Sequence, residues 1–257
     1  MISVGKSDIG MKRMENQDSF LTRTYAPDIV LALVCDGMGG VHGGREASRI
    51  AAERFGEVLD GFFAAAEEPS AVSGHAILSA LTEGVFSANE AVLTRTKEDP
   101  SLRGMGTTLV AAVRVGGVAY AVNVGDSRLY LVSDGTAQQI TKDHSLVQYL
   151  VDIGKLTPEE AATAPNRNVI TKAVGTGATV EPDTFVTGVG KGGVLLVCSD
   201  GLSGQVSPDE VAAVLAPKDD TTDTMTEEDA AARLTELIRL ANDNGGPDNI
   251  TAVLIAD

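Results

Sequence analysis

Apolar residues fall into blocks whose spacing predicts both strands and helices. Residues 28–35, DIVLALVC, carry an apolar run of strand length and predict a buried strand. Across residues 44–66 the apolar positions recur three and four apart, which predicts a helix. A second helix with the same spacing is predicted after Pro69, ending near Asp99 and Pro100.

The middle of the chain reads as a series of short strands. Residues 107–115, TTLVAAVRV, and 118–124, VAYAVNV, are separated by two glycines, a strong signal for a β-hairpin. Residues 127–132, SRLYLV, predict the next strand, and the Ser-Asp-Gly stretch at 133–135 predicts the turn after it.

Residues 143–170 interrupt this rhythm with two short helical patterns, the second starting at Thr157-Pro158. Beyond them the sequence predicts strands at 183–189, 193–198 and 249–256, and helices at 207–216 and 227–243, the last opened by Thr226.

The order of elements does not alternate strand and helix, which disfavours a doubly wound parallel sheet. We predict an α+β protein, a four-layer α-β-β-α sandwich in which two antiparallel sheets are flanked by helix pairs. No repeat or linker divides the sequence, so residues 1–257 are predicted to form one domain. The acidic run at 217–229 is expected to be a surface loop leading into a helix.

Charge and cysteine content narrow the possible partners. The 257 residues carry 36 acids and 20 Lys or Arg, a net charge of −16, which makes nucleic acid and anionic membranes poor partners. No apolar stretch reaches the length of a membrane span, and the N-terminus lacks the apolar core of a signal peptide. Cys35 and Cys198 lie in apolar runs and predict buried free thiols in a reducing cytoplasm. We expect a cytoplasmic protein, or the soluble catalytic part of a longer one, and we expect it to be a monomer.

The candidate chemistry is a set of aspartates that follow apolar runs. Asp36, Asp126 and Asp200 each come at the end of a predicted strand, and Asp248 precedes the last one. Carboxylate oxygens suit Mg²⁺ and Mn²⁺, and Gly37 would let its carbonyl reach such an ion. Two ions roughly 3.5–4 Å apart can activate water for attack on phosphorus. The alternative is that each aspartate only forms an Asp-Gly turn.

Other catalytic motifs are absent or incomplete in this sequence. His42 stands where the third glycine of a dinucleotide fingerprint belongs, and Gly5-Lys6-Ser7 lacks the upstream glycine of a P-loop. Neither Ser127 nor Ser203 lies in a nucleophile elbow. With three histidines and no HExxH, a zinc site of His and Cys is disfavoured.

Six ordered motifs resemble the metal-dependent, type 2C serine/threonine protein phosphatases over essentially the whole chain. They are RMENQD (13–18), DGMGG (36–40), MGTT (105–108), GDSR (125–128), SDG (199–201) and GGPDN (245–249). The resemblance implies the same sandwich fold, and it implies hydrolysis of phosphoserine or phosphothreonine by a metal-bridging hydroxide. Substrates would be phosphorylated proteins, either the targets of a Ser/Thr kinase or the kinase itself.

The resemblance also implies a role for each candidate residue. Asp36 would bridge two Mn²⁺ or Mg²⁺ ions, with one held by the Gly37 carbonyl and the other by Asp200 and Asp248. Asp126 would help to bind a third ion. The remaining two are Asp18, which would hold metal-bound water, and Arg13, which would grip the substrate phosphate.

Two departures from the family pattern concern the general acid. Met38 stands where animal members carry a histidine, and Val41 stands where many bacterial members carry one, with His42 next. His42 and metal-bound water are therefore both candidates for protonating the leaving oxygen. The insert at 143–170 matches the mobile flap of the family.

Two other classes of protein could carry some of these features. A haloacid-dehalogenase-type phosphatase needs a D-x-D motif, which DGM does not supply. A catalytically inactive relative acting as a phosphoprotein-binding or scaffold module is the other, and the presence of every metal aspartate argues against it.

Overall fold

The computed structural model describes residues 1–216 and 224–257, apart from the side chains of Val41 and His42. The strands of this described part are β1 (Ile2–Asp8), β2 (Asp18–Ala26), β3 (Ile29–Met38), β4 (Gly106–Thr107), β5 (Leu109–Val115), β6 (Val118–Val124), β7 (Arg128–Ser133), β8 (Thr136–Gln139), β9 (Asp183–Gly188), β10 (Val194–Cys198) and β11 (Ile250–Ala256). The helices are α1 (Gly40–Ala64), α2 (Gly74–Glu98), α3 (Leu146–Asp152), α4 (Pro158–Thr163), α5 (Asp200–Ser203), α6 (Pro208–Leu215) and α7 (Glu227–Asp243).

The strands form two antiparallel sheets. One has the order β1-β11-β10-β7-β8, and the other has the order β2-β3-β5-β6-β9, with β4 paired to the end of β3. The predicted hairpin joins β5 and β6, and its turn contains Gly116 at φ +52°, a conformation that glycine adopts without strain.

Burial on both faces explains why β3 is apolar throughout rather than alternating. One set of its side chains, including Leu31 and Leu33, packs against α1 and α2. The alternate set, including Val30 and Val34, packs against Leu195 and other side chains of the opposite sheet. A third apolar cluster lies between the other sheet and the helices α5, α6 and α7. The predicted four-layer α-β-β-α sandwich is therefore confirmed.

Helices α2, α6 and α7 each begin after a residue whose side chain caps the first turn. Thr226 caps α7 and Ser207 caps α6, each in a reciprocal capping box with the acid three residues on. Helix α2 begins at Gly74, later than predicted, because residues 69–71 form a short 3₁₀ turn and Ser73 accepts the capping bond from Ala76.

Several elements differ from the sequence-based prediction. Strands β1 and β2 were not predicted, because most of their side chains are only half-buried and the apolar pattern is weak. Helix α1 begins at Gly40 rather than residue 44, inside a glycine-rich run that reads as a loop. Asp200 is not in a turn after its strand; it is the first residue of α5.

Residues 143–170 contain the two predicted short helices, α3 and α4, and none of the named strands. Part of the acidic run predicted as a loop, residues 217–223, lies outside the described residues, as does the side chain of His42. Among the described helices, none combines the length and apolarity that crossing a bilayer requires.

Candidate metal centre

Five aspartates meet at one end of the sandwich. Asp18 begins β2 and pairs directly with Asp36 of the neighbouring β3. Asp200 and Asp248 flank the adjacent strands β10 and β11, which brings them together from the other sheet. Asp126 follows β6 after one glycine, and its charge reaches both Asp36 and Asp200.

Burial and mutual repulsion make this cluster costly to ionise. Burial, with added repulsion from its neighbours, raises the pKa of Asp36 well above its ordinary value. For the same two reasons the pKa of Asp18 rises to about 7, and the pKa of Asp126 also rises to about 7. A bound cation removes this cost, so the electrostatics favour a cation site.

The donor atoms fit a hard divalent ion. Within the described residues, Oδ1 of Asp18 and Oδ1 of Asp200 are buried without a hydrogen-bond partner. All the clustered donors are oxygens, as Mg²⁺ and Mn²⁺ prefer. Across residues 1–216 and 224–257, no three His, Cys, Asp or Glu side chains are arranged, as they stand, so that they could hold a metal ion. Instead, Asp36 and Asp200 lie close enough to repel each other, and Arg13 donates a hydrogen bond to Asp248.

Glycines allow the close approaches on which the cluster depends. A Cβ at Gly37 would lie 2.0 Å from the carbonyl oxygen of Gly44 and 2.5 Å from that of Gln17. A Cβ at Gly201 would lie 1.9 Å from the carbonyl oxygen of Asn249. All three distances are far inside van der Waals contact, so each glycine is required by the packing around an adjacent aspartate.

The MGTT motif holds Asp36 in place. Thr108 Oγ1 accepts a bond from the Asp36 amide at 2.9 Å, and the Thr108 amide donates to the Asp36 carbonyl at 2.9 Å. Thr107 Oγ1 donates to the same carbonyl at 2.8 Å. Thr108 also shares a 2.8 Å hydroxyl contact with Ser127, the residue after Asp126. Two threonines therefore link the backbones that carry two of the aspartates.

Ser199 and Asn249 organise the other side of the cluster. Ser199 Oγ donates to Asp18 Oδ2 at 2.8 Å and accepts from the Thr251 amide at 3.0 Å. Asn249 Nδ2 donates to the carbonyls of Ile9 and Glu15, and its Oδ1 accepts from the Gln17 amide. Asn249 thereby fixes the N-terminal loop that carries Arg13.

Arg13 is at the mouth of the cluster. Its Nη2 donates to Asp248 Oδ2 at 2.6 Å, while half of the side chain remains exposed. The bond to Asp248 raises the pKa of Arg13, and the charges of Asp36 and Asp200 contribute further. The guanidinium is therefore close to all three carboxylates and open to solvent.

The structure thus brings together the predicted metal and phosphate-binding residues, which are Arg13, Asp18, Asp36 with Gly37, Asp126, Asp200 and Asp248. Sequence reasoning did not assign roles to Thr107, Thr108, Ser199 and Asn249. Each of them lies inside one of the six motifs, so motif membership was the available signal, although it does not reveal which backbone a hydroxyl or amide holds.

Comparison with known proteins identifies the class. A sequence model of the family described as protein phosphatase 2C matches residues 4–239. The chain belongs to this family of serine/threonine protein phosphatases.

Individual relatives agree with this classification. The chain is 39% identical to the serine/threonine protein phosphatase PstP of Mycobacterium tuberculosis over 98% of its own length, but spans only 44% of that protein. It is 33% identical to the serine/threonine phosphatase Stp of Listeria monocytogenes, covering 97% of this chain and 93% of that one. A solved structure of the PstP catalytic domain in complex with two manganese ions superposes with a TM-score of 0.78 at 35% identity, covering 100% of this chain and 97% of that one.

Proposed function

We propose that this chain is a metal-dependent phosphatase that hydrolyses phosphoserine and phosphothreonine in proteins. The convergence of five aspartates, all buried or partly buried, with one half-exposed arginine is the observation that carries the proposal. Membership of the protein phosphatase 2C family supports it, as do relatives named serine/threonine phosphatases.

The metal ligands we propose are Asp36, the Gly37 carbonyl, Asp200 and Asp248 for two ions, with Asp126 serving a third. The two manganese ions in the related PstP catalytic domain support the count of two and the use of a divalent ion, Mn²⁺ or Mg²⁺. Ions held there would supply a nucleophilic water at neutral pH and neutralise charge on the phosphoryl group.

The protein's own groups orient this chemistry. Arg13 is placed to bind the substrate phosphate, because its guanidinium is half-exposed at the mouth of the cluster and forms charge-assisted hydrogen bonds. Asp18 is held by Ser199 at 2.8 Å and keeps a second buried oxygen without a protein partner, and it would hold metal-bound water. Thr108 fixes the backbone of Asp36, so that this carboxylate need not reorganise during turnover.

We infer that residues 143–170 form a flap within a single domain of residues 1–257, and that this flap contacts protein substrates. Its exposed Tyr149 and Ile153 support a contact surface. We also propose that the chain is a cytoplasmic monomer, and that its substrates are targets of a Ser/Thr kinase or the kinase itself. The two buried free thiols support a reducing compartment.

A turnover assay tests the function. The purified chain should release phosphate from phosphoserine and phosphothreonine peptides and from p-nitrophenyl phosphate when Mn²⁺ is added. Release should stop with a chelator and in Asp36→Asn, while the surface variant Asp134→Asn should retain full activity. Undiminished phosphate release in the presence of the chelator, or no phosphate release at saturating Mn²⁺, would contradict the proposal.

A further inference from the structure

His144 is a buried polar residue to which the proposed mechanism gives no part. It is 7% exposed and stands where the chain leaves the sandwich for residues 143–170. Its neighbour Asp143 forms a salt bridge with Arg128 at 2.7 Å. The His144 carbonyl accepts a hydrogen bond from the Thr171 amide at 2.7 Å. It therefore lies at the base of the predicted flap, where both ends of that segment meet.

The His144 residue holds Gly125, which directly precedes Asp126, from both sides. The Gly125 amide donates to the ring Nδ1 at 3.1 Å, and the Gly125 carbonyl accepts from the His144 amide at 2.8 Å. Gly125 has φ +112°, which side chains rarely adopt, and a Cβ there would lie 2.6 Å from the Thr108 side chain. Glycine adopts this turn without strain where a side chain would not fit, and the two hydrogen bonds to His144 hold the turn in place.

The hydrogen bonds define the state of the ring. Because Nδ1 accepts from Gly125, it carries no proton, and the neutral ring holds its proton on Nε2. Nε2 lies 3.1 Å from Asp183 Oδ2, but no aligned hydrogen bond forms in the described contacts, so this approach is oblique. Asp183 is also 3.3 Å from Lys172. Burial lowers the pKa of His144, which favours the neutral ring.

We propose that His144 is a positioning residue, whose Nδ1 fixes the Gly125 turn and thereby directs the Asp126 carboxylate toward the aspartate cluster. The inference rests on the proposed role of Asp126 as a ligand. Without this acceptor the buried Gly125 amide would lack a partner, and the turn would relax to find one. Residues that orient metal ligands commonly change metal affinity about 10- to 100-fold when they are substituted.

Two matched variants separate positioning from simple packing. In His144→Asn the side-chain oxygen can replace Nδ1 and accept from Gly125. In His144→Gln the longer side chain carries its polar atoms toward Asp183 instead. Amide hydrogen exchange of Gly125 in the metal-free protein should be about tenfold faster in the Gln variant than in the Asn variant. The weakest Mn²⁺ binding step in calorimetry should weaken about tenfold in the Gln variant alone.

Equal exchange rates and equal Mn²⁺ affinities in the two variants would overturn the proposal. A measurement on the unaltered protein covers the case in which a variant does not fold. The ¹⁵N chemical shifts of His144 should show an unprotonated Nδ1 and a protonated Nε2, and the opposite tautomer would overturn the proposal. If the unaltered protein hydrolyses phosphopeptides but shows the opposite tautomer, this inference alone is wrong. If the protein does not hydrolyse phosphopeptides, the proposed function is wrong instead.

Discussion

Replacing Asp18 with asparagine should stabilise the metal-free protein at high pH, because it removes one buried charge from the aspartate cluster. Asparagine has nearly the same shape and can still accept the 2.8 Å bond from Ser199 through its oxygen. Its amide group would then take the place of Asp18 Oδ1, the buried atom that has no partner in the described contacts. The substitution therefore changes charge with little change in packing.

The magnitude follows from the proton affinity of Asp18. Burial, reinforced by the charges of Asp200 and Asp248, raises its pKa from 3.8 to about 7. At about 1.4 kcal/mol for each tenfold change in proton affinity, the full effect is about 4 kcal/mol. Protons shared with neighbouring carboxyls reduce this figure, so about 2–4 kcal/mol is expected.

The sign of the pH dependence is fixed by the raised pKa. Between about pH 4 and pH 7 the folded protein keeps a proton on Asp18 that the unfolded chain has released. Stability of the metal-free wild type should therefore fall as the pH rises through this window, and the full loss should be present above about pH 7. The Asp18→Asn variant does not lose stability in this way. Its gain in unfolding free energy over the wild type should therefore be small near pH 4 and reach its full value near pH 8.

Urea unfolding in a chelator at several pH values measures this difference, with Asp134→Asn as control. Asp134 lies in an exposed turn at φ +50°, a conformation that asparagine also tolerates. Saturating Mn²⁺ should shrink or reverse the advantage of Asp18→Asn, because the ions compensate the wild-type charges. Parallel pH profiles for Asp18→Asn and wild type, or a variant less stable at high pH, would refute the electrostatic reasoning.

Three further substitutions test individual roles. Asp36→Asn should abolish tight Mn²⁺ binding in calorimetry and nearly all turnover while circular dichroism stays native; activity retained at saturating Mn²⁺ would refute the bridging role. Arg13→Ala should lower kcat/KM about 10- to 100-fold, since a hydrogen bond to a charged group contributes about 1.5–3 kcal/mol. Mn²⁺ affinity should not fall in that variant, because Arg13 competes for Asp248; an unchanged kcat/KM would place Arg13 outside the site. Tyr149→Ala should slow hydrolysis of phosphopeptides but not of p-nitrophenyl phosphate, and equal losses on both would refute a flap that contacts protein substrates.

Periodicity was sufficient to predict the elements that form the buried layers. β3, α1 and α2 carry long apolar patterns because the core demands them, and their burial confirms those patterns. Strand β1 escaped prediction because its side chains are mostly half-buried, so hydrogen bonding to β11 rather than an apolar pattern defines it. Glycines at the start of α1 concealed its first turn, since glycine favours loops in isolation.

The site was predictable in its charged residues but not in the residues that support them. An aspartate after an apolar run is visible in sequence, and the motif order linked the aspartates of distant strands. Thr108, Ser199 and Asn249 act through contacts that span 72, 181 and 240 residues, to Asp36, Asp18 and Ile9 respectively. Such contacts depend on how distant strands pair within each sheet and on how the two sheets meet, which no local pattern encodes.

Anomalous diffraction from crystals of this protein grown with Mn²⁺ tests the central claim most directly. The account predicts two manganese peaks between the carboxylates of Asp36, Asp200 and Asp248, and a third, weaker peak beside Asp126. The Asp36→Asn variant should lose the first two. An active crystal batch whose manganese peaks all lie away from these aspartates would contradict the assignment of this cluster as the catalytic metal centre.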